Sequence, residues 1–161
     1  MKRFKTLVDW FIKQSGNWTL MEPALYKKSN GAYPDTAGGM AVRANTMMIK
    51  HKLFQDPNLT IEKFCEQIEV NRCYLSRAIN RVYGVNFSAW VNIFRVDEAK
   101  RIIREEKALT VNMEDLAYRC GYNSARSFIR AFSAKEDCTP RQYFRRERKK
   151  KEAEVKQKIC G

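Results

Sequence analysis

The sequence has little histidine and lacks the residue patterns on which enzymes depend. Its 161 residues include one histidine, His51, which lies in the basic stretch 48–52 with no pattern of a nucleophile or metal partner around it. The Gly38-Gly39 pair stands alone, without the spacing of a phosphate-binding or dinucleotide-binding loop. The sequence therefore predicts a protein that is not an enzyme and binds no cofactor.

The cysteines lack the spacing that cross-links or metal binding require. Five are present, an odd number, and none forms a Cys-x-x-Cys pair: Cys65, Cys73, Cys120, Cys138 and Cys160. This pattern argues against a disulfide scaffold and a zinc site. We expect free, mostly buried thiols and no metal.

Long apolar runs are absent. No stretch of about 18 apolar residues could span a bilayer. Residues 1–10 lack the uninterrupted apolar segment of a secretory signal. We therefore expect a cytoplasmic protein without a membrane span.

Basic residues, by contrast, are abundant. Lys and Arg number 31 against 18 Asp and Glu, a formal charge of +13, and 44% hydrophobic residues suffice for a folded core. Such an excess favours nucleic acid or an anionic membrane surface as the partner. The excess is +5 in residues 1–58, +5 in 59–148 and +3 in 149–161, so charge alone does not single out one functional region.

Helical patterns dominate residues 41–149, and strand patterns are weak. Helices are predicted at about 41–54, 61–69, 72–83, 88–105, 113–120, 125–135 and 140–149. The N-cap candidates are Thr60, Asn71, Asn112, Ser124 and Thr139, the last followed by Pro140 at a first-turn position that tolerates proline. Pro57 is expected to stop the earliest helix. The predicted fold class is all-α.

An internal repeat organises the middle of the chain. An offset of 52 places Phe64-Cys65 on Leu116-Ala117, and an offset of 53 places Leu75, Arg77 and Ile79 on Phe128, Arg130 and Phe132. Each unit reads as helix, tight turn and helix, the layout of a helix-turn-helix. Gly121 supplies a left-handed residue at the second turn, where the first unit has Glu69.

The second helix of each unit turns polar or small residues away from its apolar face: Ser76, Arg77 and Asn80 in one, and Ala125, Arg126, Ile129 and Arg130 in the other. Such side chains suit base edges in a major groove. For either Arg alone, simple solvation of the helix is an equal alternative; matched placement in both units favours DNA. The uninterrupted segment 87–105 predicts a connecting helix of about 28 Å, long enough to hold two reading helices near adjacent grooves.

These motifs resemble the DNA-binding domain of the AraC/XylS family of bacterial transcription regulators. The resemblance covers residues 59–146 and rests on Tyr74-Leu-Ser-Arg77, Arg95-Val-Asp-Glu-Ala99, Leu116-Ala-Tyr-Arg-Cys-Gly121-Tyr-Asn-Ser124, Phe128-Ile-Arg-Ala-Phe132 and Thr139-Pro-Arg-Gln-Tyr143. It implies two helix-turn-helix units joined by a linker helix, sequence-specific binding to promoter DNA, and activation through RNA polymerase. Asp137 and Phe144 depart from the Gly and Arg usual in the family.

The full set of candidate DNA-binding residues is Arg72, Cys73, Ser76, Arg77, Asn80, Arg81, Ser124, Ala125, Arg126, Ile129 and Arg130. The predicted domains are an amphipathic segment and flexible connector (1–40), a DNA-binding domain (41–148) and a basic tail (149–161). Within the domain, the first helix-turn-helix is expected at about 59–84, the linker helix at 87–105, the second at 112–135 and a terminal helix at 140–149.

Residues 1–40 leave three interpretations open. The stripe of Phe4, Leu7, Val8, Phe11 and Ile12 can pack on the domain, form a homodimer or partner contact, or dock on an anionic membrane. The chain as a whole has alternatives too. It can be the output domain of a larger sensor regulator, a basic helical interaction module, or a non-specific DNA binder.

Overall fold

The computed structural model describes residues 37–105 and 112–160, with side chains through 157. This part of the chain is all-helical, which confirms the predicted fold class. Its helices are α1 (Ala37–Lys50), α2 (Ile61–Ile68), α3 (Arg72–Tyr83), α4 (Phe87–Glu105), α5 (Met113–Arg119), α6 (Ala125–Glu136) and α7 (Pro140–Cys160), with a short 3₁₀ helix at Leu53–Gln55. The amphipathic stripe expected in residues 4–12 lies outside the described residues.

The described residues form two compact units. The first contains α1, α2, α3 and α4 as far as Val91. In its core the Phe64 ring lies edge-on to Trp90, with ring centroids 5.7 Å apart. Leu75 and Ile79 are also fully buried in this unit. Helix α1 packs mainly on α3, so the second helix of the first helix-turn-helix is held from two sides.

Polar contacts fix α1 in this unit. Arg43 donates through Nη2 to the carbonyl of Ile68, at 2.7 Å, at the end of α2. The amide of Asn45 donates to the hydroxyl of Tyr83. Burial raises the pKa of Tyr83 to about 12, so the hydroxyl stays protonated even in moderately alkaline solution.

The second unit contains residues 54–57, the rest of α4, and α5 to α7. Phe128, Phe132 and Tyr143 form a chain of ring contacts at 5.7 Å and 5.6 Å, packed with Val96, Ile103 and other apolar residues. Lys135 of α6 donates to Asp97 of α4 at 2.9 Å, and Lys100 pairs with Glu136 at 2.9 Å. These shielded ion pairs hold α6 against α4.

The structure confirms the internal repeat in its backbone. Val70 N–H donates to the carbonyl of Cys65 at 3.1 Å, and at the equivalent turn Tyr122 N–H donates to Ala117 at 3.0 Å. The predicted caps are also present in both units. Asn71 caps α3 and Ser124 caps α6 through their side-chain oxygens, while Thr60, Asn112 and Thr139 cap α2, α5 and α7.

The left-handed residues follow the repeat as well. Glu69 adopts φ 52° and Gly121 φ 83° at the two turns, so the first unit does manage without glycine. Gly84, with φ 69°, and Asp137, with φ 52°, end α3 and α6 at equivalent positions. The non-glycine residues carry the steric cost of this conformation.

Two predicted boundaries were wrong. Helix α1 begins at Ala37 rather than 41, with Gly39 buried, so residues 37–40 belong to a helix and not to the connector. It ends at Lys50 because Lys52 turns left-handed at φ 50°, four residues before the predicted end at 54. Packing on α3 and this local turn, rather than Pro57, set its limits.

Helix α7 also differs from the prediction. It runs to Cys160, whereas the sequence indicated an end near 149 and a basic tail. Arg148 pairs with Glu152 at 3.2 Å and Lys150 with Glu147 at 3.0 Å, at helical spacings that stabilise an exposed helix. Lys151 also donates to the carbonyl of Arg104, at the C-terminal end of α4.

Candidate nucleic-acid interface

Helix α3 of the first unit presents a polar face to solvent. Its first turn is fixed by Asn71, whose Oδ1 accepts from the backbone N–H of Cys73 at 2.8 Å. Leu75, Ala78 and Ile79 are buried, which settles the rotation of the helix about its axis. All six candidates on this helix are exposed: Arg72, Cys73, Ser76, Arg77, Asn80 and Arg81.

The arginines of this face are not equivalent. Arg72 Nε lies 3.0 Å from Glu62 Oε1 of α2, so it has a carboxylate partner within the unit. Arg77 and Arg81 have no hydrogen-bond or ion-pair partner among the described residues. An unpaired guanidinium on an exposed helix retains all five donors for a ligand, so Arg77 is better placed than Arg72 to read a base.

Helix α6 of the second unit has a smaller exposed face. Arg126 and Arg130 are exposed and unpaired within the described residues, whereas Ala125 and Ile129 are half-buried against the core. Ser124 is exposed, but its Oγ accepts from Ser127 N–H at 3.3 Å and bonds the Ser127 hydroxyl at 3.1 Å. Ser124 therefore serves first as the N-cap that starts the helix.

The turn before α6 is unusually crowded. A Cβ added to Gly121 would lie 2.4 Å from the carbonyl oxygen of Phe54 and 2.8 Å from Gln55 Cα. On the other side of Gly121, the N–H of Tyr122 donates to the carbonyl of Ala117 and closes the turn. Only glycine fits both the left-handed φ and this close approach.

Arg95 fixes the segment that Gly121 meets. Its Nε donates to the carbonyl of Phe54 at 2.7 Å and its Nη2 to that of Asp56 at 2.8 Å. The guanidinium also lies over the Tyr122 ring, 5.2 Å from the centroid. Burial lowers the pKa of this guanidinium, yet its reference value is so high that it remains charged.

In the sequence, Arg95 is part of a family motif, and its pattern predicts no particular role. The structure makes it a positioning residue for the second helix-turn-helix. A sequence signal existed: an Arg on the apolar side of α4, four residues from both Val91 and Ala99, which are buried. Its partners are backbone carbonyls distant in sequence, which no side-chain pattern reveals.

Neither unit contains a metal-binding constellation in residues 37–105 and 112–160. None of the helices in these ranges is long and apolar enough to cross a membrane. Each unit contains a tight turn followed by a capped helix with arginines on its exposed face. This arrangement defines a protein with tandem helix-turn-helix motifs.

Comparison with known proteins carries the assignment further. The model of the helix-turn-helix domain family matches residues 64–146, more than half of the chain. The chain therefore belongs to the AraC-type helix-turn-helix family, whose members are DNA-binding transcription regulators and not enzymes. A search of curated proteins gave no match.

Several solved structures are similar. The C-terminal domain of AraT, a response regulator from Geobacillus stearothermophilus, is 28% identical with a TM-score of 0.57, over 66% of this chain and 84% of that one. A DNA-binding transcriptional dual regulator from Escherichia coli K-12 is 20% identical with a TM-score of 0.57, over 68% and 93%. The DNA-binding domain of AdpA, solved with a target DNA, is 19% identical with a TM-score of 0.57, over 69% and 94%. The last two likenesses concern the fold alone.

Proposed function

We propose that this DNA-binding regulator reads a specific duplex sequence with two recognition helices, α3 and α6, in adjacent major grooves. The observation that carries the proposal is the matched exposure of Arg77 and Arg130, 53 residues apart, on helices with equivalent caps. Helix α4 has 19 residues, about 28 Å. Successive major grooves on one side of B-DNA recur about every 34 Å, so one chain can contact both.

The residues on each face suggest how bases are read. Arg77 and Arg130 can each fork to guanine O6 and N7, and Asn80 can bond adenine. The half-buried Ile129 and Ala125 offer apolar surface to a thymine methyl group. Arg72, already paired with Glu62, suits a phosphate contact better than a base contact.

The regulator is proposed to bind an asymmetric site as a monomer and to activate transcription through RNA polymerase. Activation rests on the family resemblance alone. A homodimer through residues 1–40 remains the alternative assembly, and it predicts a symmetric site. Binding to chromosomal DNA gives the protein a cytoplasmic site of action.

A second candidate function is that of the DNA-binding output part of a sensor regulator. The similar AraT structure is the C-terminal domain of a response regulator. That likeness favours the alternative that this chain acts as the DNA-binding output part of a sensor regulator. The DNA-reading mechanism is the same in both cases, and only the source of the input signal differs.

The test is selection of bound duplexes from a random pool, followed by variants. Arg77→Ala and Arg130→Ala should each weaken binding by about 1–3 kcal/mol and relax preference at a different position of the site. Arg101→Ala is the matched control, since Arg101 is an exposed arginine already paired with Glu98 and Glu105; it should leave base preference unchanged. No enriched sequence, or unchanged preference in both test variants, would refute the proposal.

A further inference from the structure

Helix α7 carries a basic surface that extends beyond the two helix-turn-helix units. The family match ends at residue 146, yet α7 continues to Cys160. Eight Lys and Arg side chains are exposed between 141 and 157. Only those cations that have no partner within the protein remain available to a ligand.

Four of these side chains are engaged within the protein. Lys150 pairs with Glu147, Arg148 pairs with Glu152, Lys151 donates to the Arg104 carbonyl, and the Arg146 guanidinium lies 5.2 Å from the centroid of the Tyr143 ring. The run Lys149-Lys150-Lys151 is therefore not uniform. Only its first lysine lacks a partner among the described residues.

The four unpaired side chains share one face. At about 100° per residue, Arg141, Arg145, Lys149 and Lys156 fall within an arc of about 80°, roughly opposite the buried Tyr143. They span 15 positions, about 22 Å along the axis. We call these four residues the α7 stripe.

The part of α7 from Pro140 to Lys151 is anchored to the second unit. Pro140 and Tyr143 are buried at the start of the helix, and Lys151 fastens its middle to the end of α4. Glu147 and Glu154 lie on the side of the helix opposite the stripe. Glu152 falls within the arc of the stripe, where its carboxylate pairs with Arg148 at 3.2 Å. A row of cations that extends about 22 Å along a helix fits a row of phosphates better than a compact anion.

We infer that the α7 stripe binds the phosphate backbone of the duplex beside the site read by α6, adding sequence-independent affinity. This inference rests on the proposed function for the presence of DNA at the second unit. It differs from that function because it assigns phosphate contacts to residues outside the family match, Lys149 and Lys156, and withholds them from Lys150 and Lys151.

Two triple variants of the full chain with equal charge test the inference. The stripe variant combines Arg145→Gln, Lys149→Gln and Lys156→Gln; the paired variant combines Arg146→Gln, Arg148→Gln and Lys150→Gln. Glutamine has nearly the helix propensity of Lys and Arg, and circular dichroism verifies that the helix is kept. The measurement is duplex affinity against salt concentration, where each phosphate contact contributes about 0.9 to the slope.

The stripe variant should lose about 2–3 from the slope, and the paired variant less than 1, with base preference unchanged in both. Equal losses would mean that only overall charge matters, and no loss in the stripe variant would assign the stripe to another partner, such as an acidic protein surface. Either result overturns the inference. If the wild type prefers no sequence, the proposed function fails, while the same slopes on random duplex still decide the inference.

Discussion

Replacing Gly121 by alanine should be far more damaging than replacing Gly84, although both glycines have positive φ. Gly121 has φ 83° and its added Cβ would meet backbone atoms of residues 54 and 55, whereas Gly84 has φ 69° and no atom lies within 4 Å of the added Cβ. The two substitutions therefore share the conformational strain and differ in the steric clash. This makes Gly84→Ala a matched control.

The magnitude follows from these two effects. An L-residue in the left-handed region costs about 1–2 kcal/mol, which is the whole expected effect of Gly84→Ala. In Gly121→Ala the Phe54 oxygen, 2.4 Å from the new Cβ, must move away, and crowding of this kind adds about 1–3 kcal/mol. The oxygen cannot move without disturbing its hydrogen bond from Arg95 Nε. Together the two effects give about 2–5 kcal/mol for Gly121→Ala.

Urea unfolding followed by helical circular dichroism gives both free energies of unfolding. Gly121→Ala should also weaken DNA binding, because the turn sets how α6 leaves α5. Equal destabilisation in the two variants would refute the argument, since it would show that the contact between Gly121 and Phe54 does not constrain the folded protein.

Three further predictions follow from other contacts. Arg95→Met should lower the free energy of unfolding by about 2–4 kcal/mol, because charged donors to two backbone carbonyls are lost. In the same urea assay, the double variant with Gly121→Ala should lose less unfolding free energy than the sum of the two single variants. Asp137→Gly should raise the free energy of unfolding by about 0.5–1 kcal/mol, since it relieves a left-handed φ of 52° and removes a negative charge from the C-terminal end of α6. The melting temperature should rise accordingly, and a lower one would contradict the prediction. Burial raises the pKa of Cys120 from 9 to about 12, so between these pH values the folded protein keeps a thiol proton that the unfolded chain loses. The resulting contribution to the free energy of unfolding is fully present below pH 9 and is lost as the pH rises towards 12. Cys120→Ala should therefore flatten the fall in unfolding free energy between pH 9 and 11 by up to about 1.4 kcal/mol per pH unit, and an unchanged slope would exclude it.

Much of the fold could be predicted because its signals are local. Residue type and position predict four N-caps, and in each the side chain accepts the expected backbone hydrogen bond: Thr60, Asn71, Asn112 and Ser124. The repeat was visible because equivalent turns need the same residue types. The exposed face of α3 was predicted for the same reason, since buried residues three and four apart fix which side of a helix remains outside.

The errors arose where distant residues decide the outcome. The start of α1 at Ala37 includes two glycines of low helix propensity, and burial of Gly39 and contact with α3 outweigh that propensity. The extension of α7 depends partly on Lys151 reaching the end of α4, 47 residues earlier. A pattern within one segment contains neither contact.

The sequence by itself determined the all-helical class, the two helix-turn-helix units and the outward face of α3, because caps, turns and helical spacing act within a few residues. Only the tertiary structure decided which of the outward cations remain available. Arg72 is paired by Glu62 and Lys150 by Glu147, whereas Arg77, Arg130 and Lys149 have no such partner among the described residues. Availability depends on distances between side chains, and those distances exist only once the helices have packed.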